Sequence, residues 1–176
     1  MRKSKRILNM KIKLKSIKSN KLIVPSLIYG FPTTGKTTFM KLALEKGINV
    51  IDSDDICMTV LNSHRADAYN DASDVDRDTI DYLMKVAIKE GWTVVTNLTH
   101  RTSLYQYANH VSTPIHYFLP VSAGEAFARF EKRNPGYIDK DTITQWYQGS
   151  AEWALKFGLT PVFLHEDEYI TDCFEI

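Results

Sequence analysis

No stretch of the sequence reaches the ~18 consecutive apolar residues that a membrane-spanning helix needs. Cysteine is nearly missing. Cys57 and Cys173 lie far apart and without a neighbouring His/Cys pattern, which excludes a disulfide scaffold or a zinc ribbon and leaves two reduced thiols. Acid is absent from residues 1–21, where nine Lys and Arg occur. That segment is too polar for the apolar region of a signal peptide, and it is Lys-rich where transit peptides are Arg-rich, so the expected compartment is the cytoplasm. Nor is there an internal repeat, a low-complexity tract or a Gly/Pro-rich linker, so the 176 residues predict one domain with a single full core.

The overall charge of +1 conceals a division: a basic arm over 1–21 precedes a body, 22–176, that is net −8. A basic arm on an acidic body could touch nucleic acid or an anionic surface. A solvated, flexible tail accounts for it equally simply. The aromatic and charged fractions of 11% and 24% are those of an ordinary globular protein.

The most informative stretch is residues 22–38. The apolar run Leu22–Tyr29 leads into Gly30-Phe31-Pro32-Thr33-Thr34-Gly35-Lys36-Thr37-Thr38, followed by a helix-forming run. This is the G-x-x-x-x-G-K-[ST] pattern in its proper strand–loop–helix context. Gly30 and Gly35 let the backbone wrap so closely that N–H groups converge on a polyphosphate, and the helix offers its unpaired N–H groups to the same anion. Loop residues Thr33, Thr34 and Thr38 belong to this cradle. Lys36 is placed to reach the β- and γ-phosphates, and the Thr37 hydroxyl to ligate Mg²⁺. An NTP, with Mg²⁺, is the expected ligand.

Apolar runs of strand length alternate with helical patterns along the rest of the chain. Strands are expected at 26–29, 48–51, 93–96, 115–119 and 162–165, and helices at 36–46, 55–62, 76–90, 103–110, 122–133 and 142–157. Such alternation predicts an α/β fold with a parallel sheet and helices on both faces, its ligands beyond the strand C-terminal ends. Residues 64–77 lack apolar periodicity and read as a mobile loop over the site.

Three further motifs fall at those strand ends. Ile51-Asp52-Ser53-Asp54-Asp55 gathers three carboxylates, one of which could accept the proton of an attacking hydroxyl or hold Mg²⁺ through water. Ser53 or Asp54 would also suit a helix N-cap. In Val94-Val95-Thr96-Asn97-Leu98-Thr99-His100-Arg101, Asn97 could position substrate and Arg101 pair with phosphate, while Thr99 or Thr102 would suit a cap. Arg129 and Arg133 share one helix face by their i, i+4 spacing, and Pro135-Gly136 stops that helix and begins a loop. A mobile cation at that point could neutralise charge on a transferring phosphoryl group, although an ordinary basic face would look the same. Trp146, Tyr147 and Trp153 share a helix face, which suits core packing more readily than base stacking.

Taken together, GFPTTGKTT, the IDSDD strand end, VVTNLTHR and the R-x-x-x-R segment resemble the small P-loop kinases, in particular phage polynucleotide 5′-hydroxyl kinases and related phage nucleotide and nucleoside kinases. The resemblance spans most of 22–157. It implies a three-layer fold with five parallel strands and the P-loop strand in the middle, a lid around 129–141, and the host cytoplasm if phage-encoded. It implies Asp54 as general base and metal-supporting carboxylate, with Asp52 and Asp55 beside it at the substrate. Asn97 and Leu98 match the family's Thr-Asn-Leu segment, Arg129 its nucleotide-binding arginine and Arg133 its transition-state arginine. Two departures stand out: Cys57 occupies the place of an acceptor-binding arginine, and Val95 replaces an acid.

The resulting expectation is an ATP/Mg²⁺-dependent phosphotransferase acting on a hydroxyl of a nucleic acid, nucleotide or nucleoside, with Lys36, Asp54 and Arg133 as its catalytic residues. An acceptor-independent ATPase or NTP-binding switch, and a nucleic-acid-binding protein with a vestigial P-loop, are the readings from other classes. The sequence leaves the oligomeric state open.

Overall fold

The computed structural model describes residues 19–64, 66–99 and 101–176, without the side chains of Ala66 and Asp67. Residues 1–18 of the basic arm, Arg65 and His100 lie outside the described residues. The last residues of the arm are built into the body: β1 (Asn20–Lys21) pairs in parallel with β7 (Phe174–Glu175).

Five strands form the main sheet: β2 (Leu27–Gly30), β3 (Val50–Asp52), β4 (Thr93–Thr96), β5 (Ile115–Pro120) and β6 (Val162–Leu164). All its pairings are parallel, in the order β3-β4-β2-β5-β6, so β2 is central. Each crossover carries helix, as parallel neighbours require. The helices are α1 (Lys36–Glu45), α2 (Ser53–Val60), α3 (Asp74–Lys89), α4 (Thr102–His110), α5 (Ala123–Arg133) and α6 (Lys140–Lys156).

The two-residue period of the strands divides the core into two layers. Leu27 and Tyr29 of β2, Val94 of β4 and Tyr117 and Leu119 of β5 pack with Ile56, Met84, Leu104, Ala126 and Trp153 from α2 to α6. The alternate residues Ile28, Val95 and Phe118 face Phe39 and Ala43 of α1 and the C-terminal residues Ile170 and Phe174. The apolar, β-branched strands are thus covered on both faces. Cys57 and Cys173 are buried and not joined in a disulfide, one in each layer.

Helix starts follow capping chemistry. Ser73, Ser122 and Asp139 accept hydrogen bonds from the backbone N–H groups of Asp76, Glu125 and Thr142, and begin α3, α5 and α6. These caps explain two differences from the sequence reading, the start of α6 at Lys140 and of α3 at Asp74. The segment 64–77, expected to be irregular, holds a 3₁₀ turn over Ala66–Asp71 and the first turn of α3. Tyr69 anchors it, being 4% exposed, and Arg77 donates from Nε to the Tyr69 carbonyl at 3.3 Å and from Nη2 to that of Asn70 at 2.7 Å. A single large buried ring does here what apolar periodicity does in a longer helix.

His116 of β5 lies between the rings of Phe118 and Phe174, and its buried Nε2 has no hydrogen-bond partner. Burial lowers its pKa from the ordinary 6.5, because the charged imidazolium loses its hydration there. The folded state therefore binds fewer protons at this site than the unfolded chain. Its contribution to stability is complete above about pH 6.5 and is lost as the pH falls through that value toward the folded pKa. Thermal unfolding between pH 7.5 and 5.5 should show a smaller fall in Tm for His116→Phe than for the wild type. Equal falls would place the acid sensitivity elsewhere.

Candidate functional site

At the C-terminal end of β2 the chain turns into the loop of residues 30–36 and then into α1. The Phe31 amide donates to the Phe118 carbonyl at 3.0 Å, continuing the β2–β5 ladder one step beyond the strand. Gly30 and Gly35 are both required by contact. A Cβ on Gly30 would stand 2.7 Å from Thr34 Oγ1, and one on Gly35, whose φ is 89°, would stand 3.1 Å from the Tyr169 ring. Thr34 is fully buried and spends its hydroxyl on the Phe31 carbonyl at 2.7 Å, so its part in the cradle is to hold the turn. Lys36 Nζ donates to the carbonyls of Gly30 at 2.9 Å and Phe31 at 3.4 Å, which aims the ammonium across the loop. Burial lowers its pKa, while Asp52 and Asp54 oppose that shift and Arg133 adds to it.

β3 runs directly into α2, and its last residue, Asp52, is the cap. Its carboxylate accepts from the Asp54 amide at 2.9 Å, a role the sequence reading gave to Ser53 or Asp54. The reason is geometric: Asp52 ends the strand with extended dihedrals, φ −94° and ψ 141°, so its side chain meets the first free N–H groups of the helix. Only 8% exposed, Asp52 is raised to a pKa of about 6, chiefly by burial. Asp54 sits one step later on the first turn and faces the cleft. Burial raises its pKa too, Lys36 pulling it down and Asp55 pushing it up. Asp55 itself points away, toward a separate groove lined by Ile51, Ile56, Leu83 and Trp92 between α2 and α3.

Two clefts open over this sheet end. One, of about 690 Å³, is lined by Thr33, Gly35, Lys36, Thr37, Thr38, Asp52, Asp54, Asn97, Arg129, Lys132, Arg133, Tyr169 and Thr171. The other, of about 650 Å³, is lined by Phe31, Tyr69, Asn70, Leu98, Thr99, Gln145, Trp146, Ser150 and Trp153. Pro32, Asp54 and Asn97 belong to both. A basic cleft and an aromatic one therefore meet at a carboxylate and an amide whose Oδ1 is buried without a hydrogen-bond partner.

No protein-family model matches the sequence, and no curated protein does. Solved structures do match the fold. A gluconokinase from Sinorhizobium meliloti 1021 superposes with a TM-score of 0.52 at 12% identity, over 87% of this chain and 88% of that one. The chain has the fold of the P-loop kinases. The Deinococcus radiodurans tunicamycin resistance protein matches with a TM-score of 0.47 at 14% identity, over 77% of this chain and 97% of that one. A chain of the Pnkp1/Rnl/Hen1 RNA repair complex matches at 0.41 and 20% identity, over 78% of this chain and 48% of that one.

Within this P-loop kinase fold, the cradle suits a triphosphate. The Thr33 hydroxyl is buried without a partner, the two glycines leave room that a Cβ would fill, and four cations line the cleft. An exposed Thr37 hydroxyl and the carboxylates of Asp52 and Asp54 supply the hard oxygen donors that Mg²⁺ prefers. Among the described residues no helix is long and apolar enough to cross a membrane.

The expected site residues do not all converge. Arg101 is held by Asp78 of α3 and lines neither cleft, and neither Thr99 nor Thr102 caps α4, whose N-cap is Arg101 without a side-chain hydrogen bond. Trp153 is core, within ring contact of Tyr29, Tyr105 and Tyr117, whereas Trp146 is 47% exposed at the rim of the aromatic cleft. Sequence reasoning missed Tyr169, Thr171 and Lys132. The signal for the first two was present, because they follow β6 at the ligand-binding end of the sheet.

Arg129 and Arg133, adjacent on one face of α5, have different surroundings. Arg129 is 8% exposed and donates to Glu125 Oε1 at 2.8 Å and to the carbonyls of Thr33 at 3.4 Å, His165 at 2.5 Å and Glu168 at 3.0 Å. Its guanidinium also lies 5.0 Å from the centroid of the Tyr169 ring. It ties the phosphate loop to the turn after β6, while Arg133 is exposed at the cleft mouth. Arg129→Ala should therefore cost about 2–4 kcal/mol of stability, since three carbonyls and a carboxylate lose their donor. Arg133→Ala should leave denaturant unfolding within about 0.5 kcal/mol of the wild type. Equal destabilisation by the two would contradict this division.

Proposed function

We propose that the protein is an ATP/Mg²⁺-dependent phosphotransferase whose acceptor is a hydroxyl of a nucleic acid, nucleotide or nucleoside. The observation carrying this reading is the junction of the two clefts at Asp54 and Asn97. An NTP-hydrolysing switch needs only the basic cleft, whereas a kinase needs a second chamber that opens onto the same carboxylate. The acceptor class rests on the IDSDD and Thr-Asn-Leu segments and their likeness to the polynucleotide kinases.

The loop amides from Thr33 to Thr38, with Lys36, hold the triphosphate of ATP, and Tyr169 and Thr171 border its outer side. Thr37 and the Asp54 carboxylate would hold Mg²⁺, which would supply charge neutralisation on the phosphates. Asp54 faces the acceptor cleft and takes the proton of the attacking hydroxyl as its oxygen bonds to the γ-phosphorus and the bond to the ADP oxygen breaks. Asn97, beside Asp54, offers its free amide oxygen to another donor group of the acceptor. Arg133, on the loop side of α5, closes over the transferring group, where its charge matches the charge that develops and its bulk excludes water.

Lys36→Ala should lower kcat/KM by at least about 100-fold, or about 3 kcal/mol of transition-state stabilisation, without unfolding the protein. Near-normal turnover would remove the P-loop from the chemistry. Single-turnover transfer should separate the carboxylates. Asp54→Asn should retain nucleotide binding and lose about 10²–10⁴-fold in transfer, while Asp55→Asn, facing the other groove, should stay within a few-fold of the wild type. If Asp55→Asn or Asp52→Asn abolishes transfer and Asp54→Asn does not, the base is misassigned.

A further inference from the structure

The C-terminal residues form one wall of the basic cleft, and the strand at the other end of the described chain holds that wall from behind. After β6, Tyr169 and Thr171 line the cleft, and a 3₁₀ turn over Ile170–Cys173 leads into β7. The turn is tied internally. Asp172 Oδ2 accepts from the Tyr169 amide at 2.9 Å, and the Asp172 amide donates to the Tyr169 carbonyl, also at 2.9 Å. Ile170, fully buried, donates its amide to the Thr34 carbonyl of the phosphate loop at 3.0 Å. A displacement of the turn therefore carries Tyr169 and Thr171 together and pulls on the loop.

The far end of the turn is held by β1. Asn20 lies opposite Phe174 and Lys21 opposite Glu175, and among the described residues β7 has no other strand partner. Leu22, 7% exposed, extends the contact into the layer that contains Phe39, Ile170 and Phe174. The Phe174 ring lies 5.6 Å from that of Phe39 on α1 and 5.8 Å from that of Phe118 on β5. From Leu22 the chain passes into β2 and so into the phosphate loop. Loop, β2, β1, β7 and turn thus make a closed circuit, hydrogen-bonded from turn to loop and closed at the back by the β1–β7 pairing. That pairing is its weakest link: Asn20, Lys21 and Glu175 are exposed, so water competes for its hydrogen bonds.

We infer that residues 20–22 are a positioning strap for the nucleotide site proposed above: by pairing with β7 they hold the Tyr169–Thr171 wall at its distance from the phosphate loop. None of the three lines the cleft, so they act on a nucleotide only through that wall. A wall held in place beforehand spares the nucleotide the cost of ordering it. Linkage is reciprocal, so a bound nucleotide strengthens the β1–β7 pairing by the factor by which the pairing strengthens binding.

The experiment uses the full chain, with ADP as the probe and its Kd measured by calorimetry well below the unfolding temperature. Consecutive residues of a strand point their N–H groups to opposite sides, so one of residues 20 and 21 donates toward β7, and two prolines remove that donor. Asn20→Pro with Lys21→Pro should weaken ADP binding by about 5–10-fold. Asn20→Ala with Lys21→Ala loses the same side chains but keeps the backbone pairing, and should stay within about twofold of the wild type. In the wild type, ADP should slow amide exchange at residues 174–176 as well as in the phosphate loop. A strap that served stability alone would lower Tm in the proline variant and leave both the Kd and this exchange pattern unmoved, which would overturn the inference. Equal weakening by the alanine pair would overturn it too, assigning the effect to side chains. The exchange measurement needs no variant, so it decides the matter even where the prolines unfold the chain. If ADP neither binds the wild type nor protects its phosphate loop, the nucleotide site itself is overturned, and the strap with it.

Discussion

The site depends on where the central strand has to end. β2 is paired on both sides and covered on both faces, so its backbone is spent until Gly30. Beyond that residue the chain must leave the sheet within a few residues of starting α1, and the space is set by Ile170, Thr34 and Tyr169 packed against it. Only a backbone without Cβ atoms at Gly30 and Gly35 can make that turn. The Phe31 and Thr34 amides are spent on the carbonyls of Phe118 and Phe31, while the amides that begin α1 have no preceding helical turn to accept from them. The proposed anion site would thus be a by-product of closing the central crossover in the smallest space.

The same compression explains why Arg129 is a buried cation. The turn after β6 packs its Tyr169 against Gly35, and the carbonyls of His165 and Glu168, together with that of Thr33, point into the space between turn and loop. A guanidinium has enough donors in a fixed plane to satisfy three carbonyls and a carboxylate at once, which a lysine cannot do. The spacing of Arg129 and Arg133 correctly put both on one face of α5, but it could not distinguish them. The difference is made by residues 165–169, about 35 positions downstream, and a local motif contains no information about them.

This contrast marks what was legible in the chain. Strand periods and glycine spacing are local and were legible, whereas the five-stranded sheet with β2 at its centre was implied by the resemblance to the P-loop kinases, and the Ser73 cap that begins α3 was not read. Asn97 was legible as the residue that follows β4, whereas the choice of Asp54 among three neighbouring acids came from the resemblance to the kinases. Arg101 was not, because its partner Asp78 lies on α3 and draws it from the cleft. Asp55 lines the groove between α2 and α3 instead, its side chain about 100° round the helix from that of Asp54. The 3₁₀ turn at Ala66–Asp71 was hidden because one buried ring, Tyr69, holds it in place of a repeating pattern.

The carboxylates connect these local facts to the chemistry. Asp52 is fixed by its cap, and its pKa of about 6 leaves it largely ionised at neutral pH but easily protonated. Asp54, next to it, is destabilised as an anion by burial, and Lys36 is the cation that opposes this. Lys36, for its part, is destabilised as a cation by burial and supported by the same two acids. Lys36 and the two acids favour one another's charged forms across the width of one loop, while Asp54 works against ionisation of Asp52. A nucleotide with its metal brings both signs of charge into this set, so binding of the donor and the basicity of Asp54 are electrostatically linked.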